Sequence, residues 1–168
     1  MATAVKLVDP SENEFLASLE ARAKQPNPFF RAMAHRPDVL KNFPALYTAV
    51  VGPGSVPRRI KVLAYLACSY ANTCEFCIAS NLPGARKSGI TEEEIKAVEA
   101  GNNEAFPPAE RAAIAYAREL TKTAHAKTTA AELHAHFTDE QIVEITLVVG
   151  ISNMNNRFNN ALEILPEA

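Results

Sequence analysis

Two cysteines three residues apart, Cys74 and Cys77, are the residues of this chain whose type and spacing most directly suggest chemistry. On a helix, such positions share a face and come close enough to bridge with little backbone movement. Near a helix start, unpaired N–H groups and the positive end of the dipole favour thiolate over thiol, lowering the acidity constant from about 8.5. A thiolate there can attack a peroxide oxygen to give a sulfenic acid, which the second thiol condenses into a disulfide, or it can attack a partner's disulfide directly. Spacing alone leaves another reading open, because cysteine is also a common buried residue with no chemistry at all. Zinc is disfavoured, since four ligands are wanted and Cys68, Cys74 and Cys77 with an unplaced histidine match no structural-site spacing. Cys68 lies in an apolar run and reads as core. Neither a metal nor a cofactor is expected.

The remaining polar residues read more plainly. His134 and His136 are too close in sequence to share one helical face as a metal pair, and with His125 they read as surface or structural positions. Glu144 in an apolar run and Arg157 in the stretch NMNNRFNN need partners, so a buried or intersubunit ion pair is expected. The asparagines at 153, 155, 156, 159 and 160 read as ties between helix ends or subunits. Glu75, between the two cysteines, falls on a different helix face.

The elements that position these residues are helical throughout. Ser11 and Glu14 form the pattern of a capping box ahead of a helix near 11 to 23. Pro26 and Pro28 interrupt it, and a short turn over 29 to 34 leads to Pro37, which opens a helix running through Val50, with Pro44 expected to bend it. After Gly52, Pro53 and Gly54, residues 58 to 70 are apolar on nearly every side, the mark of a central helix. Asn72 and Thr73 offer oxygens to cap the helix carrying Cys74 and Cys77, which ends near Ser88 with Gly89 as its stop. Thr91 with Glu94, and Thr138 with Gln141, are further capping boxes for helices over 92 to 100 and 139 to 151. Helices over 109 to 123, 129 to 137 and 152 to 164 complete an all-α, single-domain reading.

Bulk properties narrow the class. A chain of 168 residues is long enough for one domain with a real core, since about 150 residues hide roughly two-thirds of the unfolded surface. A net charge of -2 with scattered lysines and arginines gives no basic stripe, so nucleic acid is not an expected partner. The first residues lack the basic start and apolar stretch of a signal peptide, and no apolar run reaches membrane-spanning length. A cytoplasmic protein is therefore expected, and its three cysteines do not suit a secreted disulfide framework.

The stretch RRIKVLAYLACSYANTCEFCIASNLPGARKSGITEEEI, from Arg58 to Ile95, resembles the carboxymuconolactone decarboxylase and alkylhydroperoxidase D-like family. PNPFFRAMAHRPDVLKNFPALYTAVVGPGSVPRR looks like that family's lead-in and FTDEQIVEITLVVGISNMNNRFNNAL like its closing helices, so the likeness covers roughly 26 to 163. The resemblance implies a helical bundle of the alkylhydroperoxidase D-like type that assembles into homo-oligomers, as trimers or hexamers, with a buried site near helix and subunit contacts. In the peroxidase branch a glutamate precedes the Cys-x-x-Cys by eleven intervening residues, and a histidine follows after three. By position this implies Cys77 as the peroxidatic nucleophile and Cys74 as proton donor and resolving thiol. The glutamate and histidine positions hold Val62 and Asn81, so the thiols are present without the proton relay. General acid–base help is typically worth about a hundredfold to ten-thousandfold, which makes weak peroxidase turnover the expectation. Asn81, one turn beyond Cys77, is expected to donate a hydrogen bond to the thiolate. The implied activity is thiol-disulfide oxidoreduction, with a peroxide or a disulfide as oxidant and a protein thiol as reductant. A lactone decarboxylase and a non-catalytic redox sensor are the alternatives.

Overall fold

The computed structural model describes residues 3–166. Among them every regular element is a helix: α1 Glu14–Ala23, α2 Pro28–Met33, α3 Pro37–Val51, α4 Arg58–Ala71, α5 Glu75–Lys87, α6 Glu92–Ala100, α7 Pro108–Thr123, α8 Ala130–His136 and α9 Asp139–Ala161. α4 is the centre, packed against α5, α7 and α9, because Leu63, Ala64, Leu66, Ala67 and Cys68 leave no polar face for water. Arg59, near its start, reaches Glu94, Glu110 and the Gly89 carbonyl, tying the beginnings of α6 and α7 to it.

Short-range signals set several boundaries as expected. Thr91 and Thr138 each accept the N–H three residues on, while Glu94 and Gln141 reach back to their cap N–H groups. The N-terminal signal is displaced. Ser11 donates its hydroxyl to Asp9 at 2.6 Å, so Asp9 and Glu12 form the capping box of a short 3-10 turn, and Asn13 caps α1 by accepting the Leu16 N–H at 2.9 Å. The segment expected as a turn over 29 to 34 is the helix α2, with Pro28 at its first position and Asn27 as its cap.

The two closing helices expected over 139 to 151 and 152 to 164 are one, α9, which is 23 residues long. Asparagine side chains usually compete with a helix for backbone groups, but here Asn153 and Asn159 donate to the Val149 and Asn155 carbonyls of their own helix at 2.9 Å each. The helix therefore runs through them.

Glu144 finds the partner its position demands. It pairs with buried Lys61 of α4 and accepts from Ser55 N–H at 2.8 Å, Ser55 Oγ at 2.6 Å and Val56 N–H at 3.1 Å. A Cβ on Gly54 would run into this carboxylate, which accounts for glycine there. Burial opposes the Glu144 charge, but Lys61, Ser55 and Val56 outweigh it and hold the carboxyl below its usual range. With the folded-state value depressed, this pair's contribution to stability is present at neutral pH and is lost as pH falls through the carboxylate range.

Candidate functional site

The corner between α4 and α5 builds the site. Asn72 and Thr73, expected to cap the second helix, instead close the first: Asn72 is the C-cap of α4, and Thr73 follows in the left-handed region at φ 51°. Thr73 N–H bonds to the Tyr70 carbonyl at 3.1 Å and Cys74 N–H to the Ser69 carbonyl at 3.0 Å, the pair of bonds that usually favours glycine at this place. A β-branched residue in this conformation is strained, by about 1–2 kcal/mol. Asparagines of α9 hold the corner down. Asn72 donates to Asn153 Oδ1 at 3.0 Å and Asn156 Oδ1 at 2.9 Å, while Asn160 donates to the Asn72 carbonyl at 2.8 Å.

Cys74 is then the N-cap of α5 itself, its sulfur accepting the Cys77 N–H at 3.3 Å in the manner of a serine or aspartate cap. Cys77 sits in the first turn, where the helix dipole favours an anion. Its Sγ receives the Asn159 amide at 3.3 Å. The hydrogen bond from the Cys74 thiol, followed by those from Asn156 and Asn159, outweighs burial and lowers the Cys77 thiol below its ordinary value. Donating that bond and being buried raise Cys74, which keeps its proton. The arrangement favours the thiolate at Cys77, with a proton-bearing thiol beside it.

Asn81 does not make the expected hydrogen bond to the Cys77 sulfur. Its amide donates to the Cys77 backbone carbonyl at 2.7 Å, one turn back along its own helix, and Asn159 from α9 supplies the contact to sulfur. The NMNNRFNN stretch, read as a tie between helix ends, also supplies the amides of the thiol site. Its spacing of asparagines at 155, 156 and 159 was the available signal, since these positions share one face.

Cys77 lines a cavity of about 210 Å³ and Cys74 does not. The walls carry Phe29, Phe30, Phe43, Tyr47, Tyr65 and Phe76, with Asn155, Asn159 and Asn81 among the polar groups. Exposed Ser80 also lines it, so the cavity reaches the surface. Phe29 meets Phe43 at 5.3 Å between ring centroids, edge to face, and Tyr47 meets Tyr65 at 6.5 Å. None of the residues lining it carries a formal charge at neutral pH apart from the thiolate.

Residues 37–119 match the model of the carboxymuconolactone decarboxylase family. The chain belongs to this family. An uncharacterized protein of Bacillus subtilis, YdfG, is 30% identical over 112 residues, covering 64% of this chain and 76% of that one. A protein of unknown function from Agrobacterium tumefaciens, described as a candidate antioxidant defence protein AhpD, superposes with a TM-score of 0.72 at 28% identity, covering 82% of this chain and 97% of that one. An uncharacterized peroxidase-related protein with an alkylhydroperoxidase AhpD core, from Ralstonia eutropha, shares the fold with a TM-score of 0.85 at 21% identity, covering 99% and 93%.

The other expected positions lie apart from the cavity. Cys68 is fully buried in α4, its thiol pushed up to about 11 chiefly by burial. His125, His134 and His136 are exposed, as is Glu75. Arg157 is exposed and donates to the Thr121 carbonyl at 3.2 Å, and among the described residues of this chain it forms no ion pair. Among the described residues no group of side chains is arranged to hold a metal, and no helix is long and apolar enough to cross a membrane.

One consequence concerns pH. With its pKa depressed, Cys77 is expected to alkylate with iodoacetamide along a curve that rises with pH and has its midpoint below about 8.5. Asn159→Leu removes one hydrogen bond to the thiolate and is expected to move that midpoint upward by about one unit, the equivalent of about 1.4 kcal/mol. Mass spectrometry of the Cys77 peptide measures it, and an unmoved midpoint would deny Asn159 this role.

Proposed function

We propose that the protein is a dithiol reductant of organic hydroperoxides, with Cys77 as nucleophile and Cys74 as resolving thiol. The observation that carries this reading is the position of the Cys77 sulfur: stabilised as thiolate, it faces an aromatic cavity open to the surface, while its protonated partner lies behind it. Cys77 attacks the terminal peroxide oxygen, the O–O bond breaks, and the organic part departs as an alcohol after gaining a proton. Cys74 then displaces hydroxide from the sulfenic acid to close the disulfide, and an external protein dithiol supplies two electrons to reopen it.

The cavity's rings favour a hydroperoxide with an apolar or aromatic body over hydrogen peroxide. Its lining offers no cation to hold the carboxylates of a carboxylated lactone, which weighs against decarboxylation. The test is a titration of accessible thiols before and after one equivalent of cumene hydroperoxide or hydrogen peroxide. Loss of a thiol pair, faster with cumene hydroperoxide, supports the reading, and retention of both thiols with either oxidant refutes it.

The same reading places the protein in the reducing cytosol, where free Cys74 and Cys77 persist. It also makes it a homo-oligomer. Val143, Leu147 and Met154 form an exposed apolar stripe on α9, with open space at Gly150 between them, and exposed Val39 of α3 lines one cleft with Met154. Leu147→Glu is expected to reduce the sedimentation coefficient to that of the monomer. A wild-type chain that already sediments as a monomer would rule the assembly out.

A further inference from the structure

Breaking the O–O bond leaves an alkoxide that must gain a proton, and the two positions that would carry a relay are Val62 and Asn81, neither of which exchanges protons near neutrality. The other acids nearby are engaged elsewhere or face away: Glu144 is held by Lys61, Ser55 and Val56, and Glu75 is exposed. Ser80 donates its hydroxyl to the Cys77 carbonyl at 3.2 Å.

Tyr65 stands one turn beyond Val62 on the same face of α4 and is 5% exposed, with its side chain lining the Cys77 cavity. Asn155 donates to the Tyr65 hydroxyl oxygen at 2.8 Å. Asn159, the next turn of α9, donates to Cys77 Sγ at 3.3 Å and is itself oriented by a 2.9 Å bond to the Asn155 carbonyl. Phenol and thiolate are thus held by two side chains about 5–6 Å apart on one helix face, and both face one cavity. With the Asn155 amide assigned nitrogen to phenol, the Tyr65 proton is not used in that bond; it faces the Tyr47 oxygen at the wall of the same cavity, a contact that a guest oxygen would have to displace. Burial raises the Tyr65 phenol well above its ordinary value, so it enters the reaction neutral and carrying its proton.

We propose that Tyr65 is the catalytic proton donor to the leaving oxygen, taking the place of the missing relay. The inference rests on the hydroperoxide reading above. As Cys77 sulfur bonds to the terminal oxygen and the O–O bond breaks, the alkoxide takes the Tyr65 proton and leaves as alcohol. The phenolate recovers a proton from water that reaches the cavity, and the Cys74 sulfur attacks the sulfenic acid, forming the disulfide as its own proton leaves with the expelled hydroxide as water. Two electrons leave the dithiol and two enter the peroxide.

The experiment follows single-turnover oxidation of Cys77 in the wild type and Tyr65→Phe with two oxidants. Cumene hydroperoxide releases an alkoxide that needs a proton, whereas 3-chloroperoxybenzoic acid releases a carboxylate that does not. Tyr65→Phe is expected to slow the first by about a hundredfold and leave the second little changed. Equal slowing of both would mean that the hydroxyl only shapes the cavity, and no slowing would mean that it is idle; either overturns the proposal. Should the variant fail to fold, the wild type alone decides. Across hydroperoxides of graded leaving-group acidity its rate is expected to vary shallowly, and a steep dependence overturns the donor role. A wild type inert to both oxidants would instead remove the hydroperoxide reading, and the proposal with it.

Discussion

Cys77→Ser is expected to abolish hydroperoxide-dependent thiol loss, leaving Cys74 and Cys68 reduced after an equivalent of cumene hydroperoxide. The reason is geometric as well as chemical. Only Cys77 of the three free cysteines lines the cavity, and its sulfur alone is stabilised as thiolate. A serine hydroxyl has no comparable nucleophilicity at its free acidity, and no base stands ready to activate it. Cys74→Ser makes a different prediction. The hydroxyl can still cap α5 and donate to Cys77, so the first oxidation proceeds, but the sulfenic acid has no resolving thiol and persists long enough to be trapped by dimedone. Cys68, fully buried with its thiol pushed up to about 11, serves as an internal control that stays reduced throughout. If Cys77→Ser consumed hydroperoxide at the wild-type rate, the nucleophile would have to be sought elsewhere.

The second large effect comes from restoring the relay. Val62 and Asn81 line one small cleft of about 60 Å³, and its neighbours Tyr47 and Tyr65 also border the Cys77 cavity. Val62→Glu with Asn81→His would therefore set a carboxylate and an imidazole side by side next to the thiol, with Arg58 on the same cleft to offset the new charge. The imidazole exchanges protons near neutrality where the amide cannot. Single-turnover oxidation is expected to accelerate by about a hundredfold, within the range that positioned acid–base groups supply. Thiol loss followed by stopped-flow measures the gain, and an unchanged rate in a folded double variant would reject the expectation that Val62 and Asn81 limit the reaction.

Much of this arrangement can be read along the chain wherever the cause is local. The Thr91 and Thr138 boxes and the apolar run of α4 from Val62 to Cys68 depend on residues within a turn or two, and the structure carries all of them. The cysteine pair was legible as well, although its setting was not. Whether Thr73 begins one helix or ends another depends on the Asn72 contacts to Asn153 and Asn156, more than eighty residues away. The same distance hid the donor to Cys77: Asn81 is its neighbour in sequence, whereas Asn159 reaches it only because α9 runs unbroken past the corner. The aromatic cavity was also out of reach, since α2, α3, α4 and α5 each contribute rings to it and none signals the others. Glu144 was recognisable as a charge needing a partner, but Lys61 was not, because its long side chain crosses from an apolar helix.

The most direct measurement is the mass of the peptides that carry Cys74 and Cys77 after one equivalent of cumene hydroperoxide, with unreacted thiols blocked at once. An intramolecular bridge between these two sulfurs, formed while Cys68 stays blocked as a free thiol, is the result expected. Both cysteines recovered fully alkylated, or a bridge between chains instead, would contradict the assignment of Cys77 as attacker and Cys74 as its resolving partner.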